Sequence, residues 1–239
     1  MLQFIDSHIH LQECDLSLLK ELQNGGLLKA VCPSTSEDDW AKVEDISSTY
    51  PELVFPAYGV HPWYVDTIST DWSAKLENKL LTNSNAWIGE CGLDKCKKTD
   101  YIKQSNIFNI HISLAQKLKR PLIVHSVRAQ QWLEDFWQHL RDTRFVIHSF
   151  NGDKNFVRRI IKHGGYISFS PSILRQKKCL EIITQIPLEK ILVESDAPYQ
   201  GKSIEILKII KAIALIKGTS EQLISAQLIN NFKVFNYDK

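Results

Sequence analysis

Four histidines and two carboxylates carry the chemistry that this sequence offers. His8 and His10 stand two apart in Asp6-Ser7-His8-Ile9-His10. On an extended segment, residues i and i+2 project to the same side, so both imidazoles can reach one ion. A His-x-His pair alone carries little weight, because chance supplies it in chains of this composition. Four later segments change that, each delivering one more metal-type ligand at or just beyond the end of an apolar, strand-like run. They are Glu90 in WIGECGLD, His125 in LIVHS, His148 in FVIHS and Asp196 in LVESDAPY. A glutamate at the end of a strand inside a barrel would be an unpaired buried charge unless a cation neutralised it. Four imidazoles and two carboxylates exceed what one small cation takes from protein, and suit two cations sharing a bridging carboxylate. This nitrogen and oxygen set fits Zn²⁺, Mn²⁺, Ni²⁺ or Mg²⁺ and does not choose among them. Two such ions about 3.5–4 Å apart can acidify a shared water and clamp a phosphoryl or acyl oxygen.

The elements that must position these residues alternate from end to end. Strands are predicted at Phe4–Asp6, Ala30–Pro33, Val54–Val60, Ala86–Cys91, Pro121–His125, Phe145–His148, Tyr166–Ser170 and Ile191–Asp196. Between and after them lie amphipathic stretches: Leu18–Leu27, Asp38–Tyr50, Trp72–Leu81, Gln104–Leu118, Ala129–Leu140, Lys154–His163, Leu174–Ile183, Ile204–Ile216 and Glu221–Phe235. Eight strands, each followed by a helix, predict repeated βα units and a parallel sheet. An open doubly wound sheet would scatter His10 and Asp196, whereas a closed (β/α)₈ TIM barrel gathers all strand ends at one mouth. No Gly-rich phosphate loop supports a nucleotide fold. The sequence therefore predicts an α/β protein, one TIM-barrel domain over residues 1–239, with its active site at the C-terminal ends of the strands.

Bulk properties fit this picture and narrow the partners. At 44% hydrophobic and 23% charged, the 239 residues have the balance of a soluble globular domain. A net charge of +2 neither demands nor excludes a polyanion, so local charge must decide. The five cysteines form no CxxC, and Cys32 and Cys91 lie in apolar runs, which reads as reduced thiols. The start of the chain lacks the basic and apolar regions of a leader. The most apolar stretch, Ile204–Ile216, is interrupted by Glu205, Lys208 and Lys211 at helical spacing. Expected from this are a cytoplasmic location, no membrane association and no obligate protein partner.

The chain resembles the TatD-type metal-dependent deoxyribonucleases, a branch of the amidohydrolase-like barrels. The matching text is FIDSHIHL, AYGVHPWY, WIGECGLD, PLIVHS, VIHSFNG, YISFS and LEKILVESDAPY, with NNFKVF near the C-terminus. The resemblance implies that His8, His10 and Asp196 hold one ion, that Glu90 bridges, and that His125 and His148 hold the second. It further implies that Asp196 orients or deprotonates the attacking water. His61, in GVHPWY, matches a position near the pocket and is a candidate phosphate contact outside the ligand set. The implied activity is hydrolysis of phosphodiester bonds, as a 3′-5′ exonuclease on DNA.

Two departures from the family pattern bear on substrate. Only Gln200-Gly201-Lys202-Ser203 separates the DAPY segment from Ile204, where the family has a longer loop. After Leu93-Asp94 the family has an aromatic residue and then a basic one, whereas this chain has Lys95-Cys96-Lys97-Lys98. That exchange removes a stacking surface for a base and adds lysines that could contact phosphates. Lys95, Lys97 and Lys98 are thus candidate substrate contacts, with Lys103, Arg175, Lys177 and Lys178 as an outer rim. Lys154, Arg158, Arg159 and Lys162 read as a solvated helix face, and His111, His139 and His163 as incidental. The short loop leaves open a metal-dependent amidohydrolase, esterase or lactonase acting on a small molecule. A non-catalytic metal-binding adaptor is a third reading.

Overall fold

The fold is the predicted (β/α)₈ barrel, seen in a computed structural model that describes residues 1–96, 100–175 and 181–237. Eight strands pair in parallel and in sequential order. They are β1 (Phe4–Asp6), β2 (Leu27–Pro33), β3 (Val54–Tyr58), β4 (Trp87–Asp94), β5 (Leu122–Val127), β6 (Phe145–Ile147), β7 (Tyr166–Phe169) and β8 (Ile191–Val193). The seam between β8 and β1 is closed just beyond both strands. Ser7 N donates to Val193 O (3.0 Å), Asp196 N to His8 O (2.9 Å) and His10 N to Ala197 O (2.9 Å). These bonds bring the first and last predicted ligand segments side by side.

The lumen is packed rather than open. Each strand gives one or two residues to an inner cluster: Ile5, Val31, Phe55, Ala57, Trp87, Ile123, Val146, Tyr166 and Leu192. The helix Glu221–Tyr237 adds Phe232 and Phe235 to the same cluster. Phe232 stacks on Trp87 with centroids 5.4 Å apart, and Trp87 Nε1 donates to Asn236 Oδ1 (2.6 Å). The NNFKVF segment is therefore a plug in the barrel, and Asn231 Nδ2 ties it to Leu188 O (2.7 Å) and Ile191 O (2.8 Å). Losing a buried aromatic of this size costs roughly 3–5 kcal/mol.

Several predicted boundaries move, each for a physical reason. β1 keeps its predicted bounds, Phe4–Asp6, and His8 and His10 lie beyond it, held by the seam. β8 stops at Val193, three residues before Asp196, which sits in a turn where Tyr199 N donates to Asp196 O (2.8 Å). β4 runs on to Asp94, so Glu90 is inside the strand instead of at its end. Pairing to β3 nevertheless stops at Ile88, and the β4–β5 register shifts between Ile88 and Cys91. Such an irregularity re-aims side chains. Trp87 faces the lumen, Cys91 and Leu93 join the outer core, and Glu90, Gly92 and Asp94 therefore turn inward. Gly92 is required there: it has φ +138°, and a Cβ would lie 2.2 Å from His125 O. The stretch Ala129–Leu140 is a 3₁₀ turn, Trp132–Asp135, and a short helix, Trp137–Leu140, broken at Phe136 (φ −109°). Leu133, Phe136, Trp137 and Leu140 are all buried, so the apolar spacing reported burial without continuous backbone. Leu174–Ile183 is flanked by 3₁₀ turns at Pro171–Arg175 and Ile183–Gln185, and its middle lies outside the described residues.

His111, read from the sequence as incidental, is fully buried in the helix Tyr101–Leu118. Its Nε2 accepts from Val60 N (3.1 Å), so Nδ1 carries the proton and donates to Ile107 O (2.8 Å). The ring thus fixes the chain immediately before His61. Burial, opposed by the Ile107 bond, pushes its pKa down to about 4. In the unfolded chain the ring takes a proton below about 6.5. The unfolded state therefore binds more protons between pH 6.5 and 4, and stability falls as pH drops through that window, by about 3 kcal/mol from this ring. Urea unfolding at stepped pH is expected to show this loss in the native protein and a flatter acid limb in His111→Gln. Parallel limbs would contradict the assignment.

Candidate active site

All six predicted ligands are buried and converge at the mouth. Glu90 lies between them. Its Oε2 is 3.2 Å from His8 Nε2 and 3.7 Å from His10 Nε2. Its Oε1 is 2.7 Å from His125 Nδ1 and 2.8 Å from His148 Nε2. Asp196 Oδ1 completes the first group, 3.7 Å from His8 Nε2 and 3.5 Å from His10 Nε2. Its carboxylate is aimed by a left-handed backbone (φ 50°), which few non-glycine residues other than Asn and Asp adopt readily. The rings of His8 and His148 stack with centroids 4.2 Å apart and join the two groups.

The ring nitrogens face one another at hydrogen-bond distance: His8 Nε2 to His10 Nε2 at 3.1 Å, and His125 Nδ1 to His148 Nε2 at 3.1 Å. A proton can sit between two such lone pairs only once, whereas a cation accepts both. Two nitrogens each about 2.0–2.1 Å from a tetrahedral zinc lie roughly 3.3 Å apart. The observed spacings fit that, so these buried His, Glu and Asp clusters are compatible with divalent metal binding.

The outer nitrogens of two rings are held by acids that sequence reasoning did not assign. Asp94 Oδ2 lies 3.2 Å from His125 Nε2, and Glu194 Oε1 lies 3.4 Å from His148 Nδ1. The Asp94 bond fixes the His125 proton on the outer nitrogen and leaves the inner nitrogen's lone pair facing Glu90, whereas Glu194 meets His148 as a charge partner without hydrogen-bond geometry. Asp94 itself accepts from Trp63 Nε1 (2.6 Å) and Cys96 N (2.7 Å), and Glu194 accepts from Ser149 N (2.5 Å). Behind β1, Asp6 accepts from Ser195 N (2.9 Å) and Ser203 Oγ (2.6 Å), which stitches the seam on its outer side. All three acids stand in the quoted segments, at positions where alternation or seam geometry, rather than motif, decides their role.

His61 is the informative contrast. Its Nε2 is 3.4 Å from Glu90 Oε1 and 3.1 Å from His125 Nδ1, inside the second group. Its Nδ1, however, accepts from Trp63 N (3.1 Å). In the neutral ring the proton is then on Nε2, beside His125 and Glu90, with which His61 also forms a metal-type cluster. Burial, followed by the neighbouring His125, holds its pKa down to about 3, so it stays neutral.

Electrostatics separate the carboxylates from their usual burial behaviour. Burial raises Glu90, yet the surrounding imidazoles, His148 first among them, overcome it and hold Glu90 well below the carboxylate range. Asp196 is likewise lowered, burial being outweighed by His10 and His8. Asp94 falls to about 2, burial being outweighed by His125 and Trp63. Burial pushes His148 down, but Glu90 and Glu194 raise it well above an ordinary imidazole. The site thus prefers anionic carboxylates facing positive charge.

A cavity of about 320 Å³ opens above this cluster, lined by His61, Glu90 and Asp196 among others. Lys95 is not in its lining; its ammonium lies over the Trp132 ring, 5.9 Å from the centroid. Lys97, Lys98, Lys177 and Lys178 fall outside the described residues.

Residues 5–236 match the TatD related DNase family, and the chain belongs to it. It is 32% identical over 215 residues to an uncharacterized metal-dependent hydrolase of Buchnera aphidicola, covering 82% of this chain and 81% of that one. It is 24% identical over 188 residues to the 3′-5′ ssDNA/RNA exonuclease TatD of Yersinia pseudotuberculosis, covering 76% of this chain and 72% of the relative. The crystal structure of YjjV, a TatD homologue from Escherichia coli K12, superposes with a TM-score of 0.89 over 100% of this chain and 99% of its own, at 23% identity. The protein is a TatD-family metal-dependent hydrolase on a shared barrel.

Asp94→Asn is expected to weaken binding of one divalent ion roughly 10- to 100-fold, the usual effect of losing an outer partner. Ligation by His8, His10 and Asp196 should persist. Calorimetric metal titration checks this, and unchanged affinity for every ion would contradict the role given to Asp94.

Proposed function

We propose that this protein hydrolyses phosphodiester bonds of DNA, removing nucleotides from a 3′ end. The observation that carries the reading is the division of Glu90 between two histidine groups, which suits a pair of divalent ions. Family membership and the exonuclease name of the Yersinia relative supply the bond and the polymer. His8, His10 and Asp196 would hold one ion, His125 and His148 the other, with Glu90 between them.

When bound, two such cations acidify a water and offset the charge that builds on the phosphoryl oxygens. The chain's own residues do the rest. Asp196, kept anionic by His10 and His8, takes the proton from the attacking water. His61 offers Nε2–H to a phosphoryl oxygen as its charge develops, a contact that strengthens towards the transition state. Asp94 keeps His125 oriented throughout, and Glu194 places a negative charge behind His148.

Among the described residues no helix is long and apolar enough to cross a membrane. The described cysteines, Cys14, Cys32, Cys91 and Cys96, are free, which supports a reducing compartment such as the cytoplasm.

Chelation is expected to abolish release of nucleotides from 5′-labelled DNA and restored metal to return it. Asp196→Ala should lower kcat by about 10²- to 10⁴-fold, the usual contribution of a positioned base. Metal-free protein that still degrades DNA at full rate would contradict the reading. Intact DNA beside rapid turnover of simple esters or lactones would move the assignment to a small-molecule hydrolase.

A further inference from the structure

Three large aromatic side chains stand exposed around the metal-type cluster. Trp63 is 48% exposed, Tyr64 38% and Tyr199 67%, and all three line the 320 Å³ cavity. Two of these rings are anchored to the catalytic groups. The Trp63 indole is pinned by its bond to Asp94 Oδ2 and stands edge-on to His61, with centroids 5.3 Å apart and planes at 86°. Tyr199 stands edge-on to His10 at 5.1 Å and 80°. Partly exposed rings that line the cavity, a few ångströms from groups that would engage a phosphate, match a ligand with a flat unsaturated group next to its phosphate. A nucleobase is that group.

We infer that Trp63 and Tyr199 are specificity-determining residues that stack the base of the terminal nucleotide. The inference rests on the phosphodiesterase reading and deepens it. Stacking is indifferent to base identity because every base has a π face, so the enzyme would trim mixed sequences. At about 320 Å³ the cavity lies at the small end of ligand sites, roughly 300–1,000 Å³. Trp63 also replaces what the sequence lacks after Asp94. There Lys95 stands in place of an aromatic residue, and the indole fixed to Asp94 supplies the missing surface from the loop after β3.

Two measurements test this. The first titrates chelator-treated protein with an oligonucleotide carrying 2-aminopurine at its 3′ terminus, so that binding is read without cleavage. Stacking predicts quenching at the terminal position and weaker binding, about 5- to 100-fold, in Trp63→Leu and Tyr199→Leu. Trp63→Phe and Tyr199→Phe keep a ring and should retain most of the affinity, which separates stacking from the Asp94 bond. The second measures metal-loaded cleavage of a 3′-terminal abasic nucleotide against a natural one, with KM for the abasic end raised by a similar factor. Cleavage with equal KM for both ends, or Leu variants that bind as native does, would overturn the stacking role alone. Absence of both binding and cleavage would overturn the phosphodiesterase reading and this inference together. Quenching without cleavage would support stacking while removing the nuclease assignment.

Discussion

Glu90 is the constraint on which the site depends. A carboxylate with 2% exposure cannot remain charged in an apolar barrel unless positive charge meets it. Its two oxygens face opposite ways, one towards His8 and His10, the other towards His125 and His148. Facing ring nitrogens can share a single proton within each pair, and the same buried spacings are compatible with divalent cations. The irregularity in β4 exists at this point because a regular strand would have sent Glu90 outward, where Cys91 now packs.

Everything around that carboxylate fixes geometry from outside. The β8–β1 seam aligns His8 and His10 with Asp196 through three backbone bonds, and Asp6 binds the seam from behind. Asp94 fixes which nitrogen of His125 faces inward, and Glu194 places a negative charge behind His148. His111 holds the backbone before His61, whose proton faces the cavity. At the far end the C-terminal helix fills the lumen with Phe232 and Phe235, so the metal-type cluster rests on a packed floor. Errors in this support would act at the site as displaced ligands, although none of these groups need touch substrate.

Much of this was legible in the sequence because strand ends in a barrel converge. Six ligand-type residues at five such ends imply one site without any knowledge of contacts, and the structure brings all six together. Alternation could not reveal the β4 irregularity, so Glu90 read as a strand end and Asp94 went unassigned. His111 lay at an ordinary helical position, and nothing local distinguishes a buried, doubly bonded imidazole from an exposed one. The lysine run after Asp94 suggested a rim, yet Lys95 turns onto Trp132, since a flexible ammonium follows nearby π surface rather than chain position. NNFKVF was legible as a motif but not as a plug, because its partners lie in the middle of the strands.

The most direct test of the account is the metal stoichiometry of the purified protein, measured by elemental analysis with calorimetric titration in native and Glu90→Gln forms. The geometry predicts two divalent ions per native chain, and at most one in the variant, because the amide cannot bridge as an anion does. A native protein that holds one ion or none, or a Glu90→Gln variant that binds two with unchanged affinity, would contradict it.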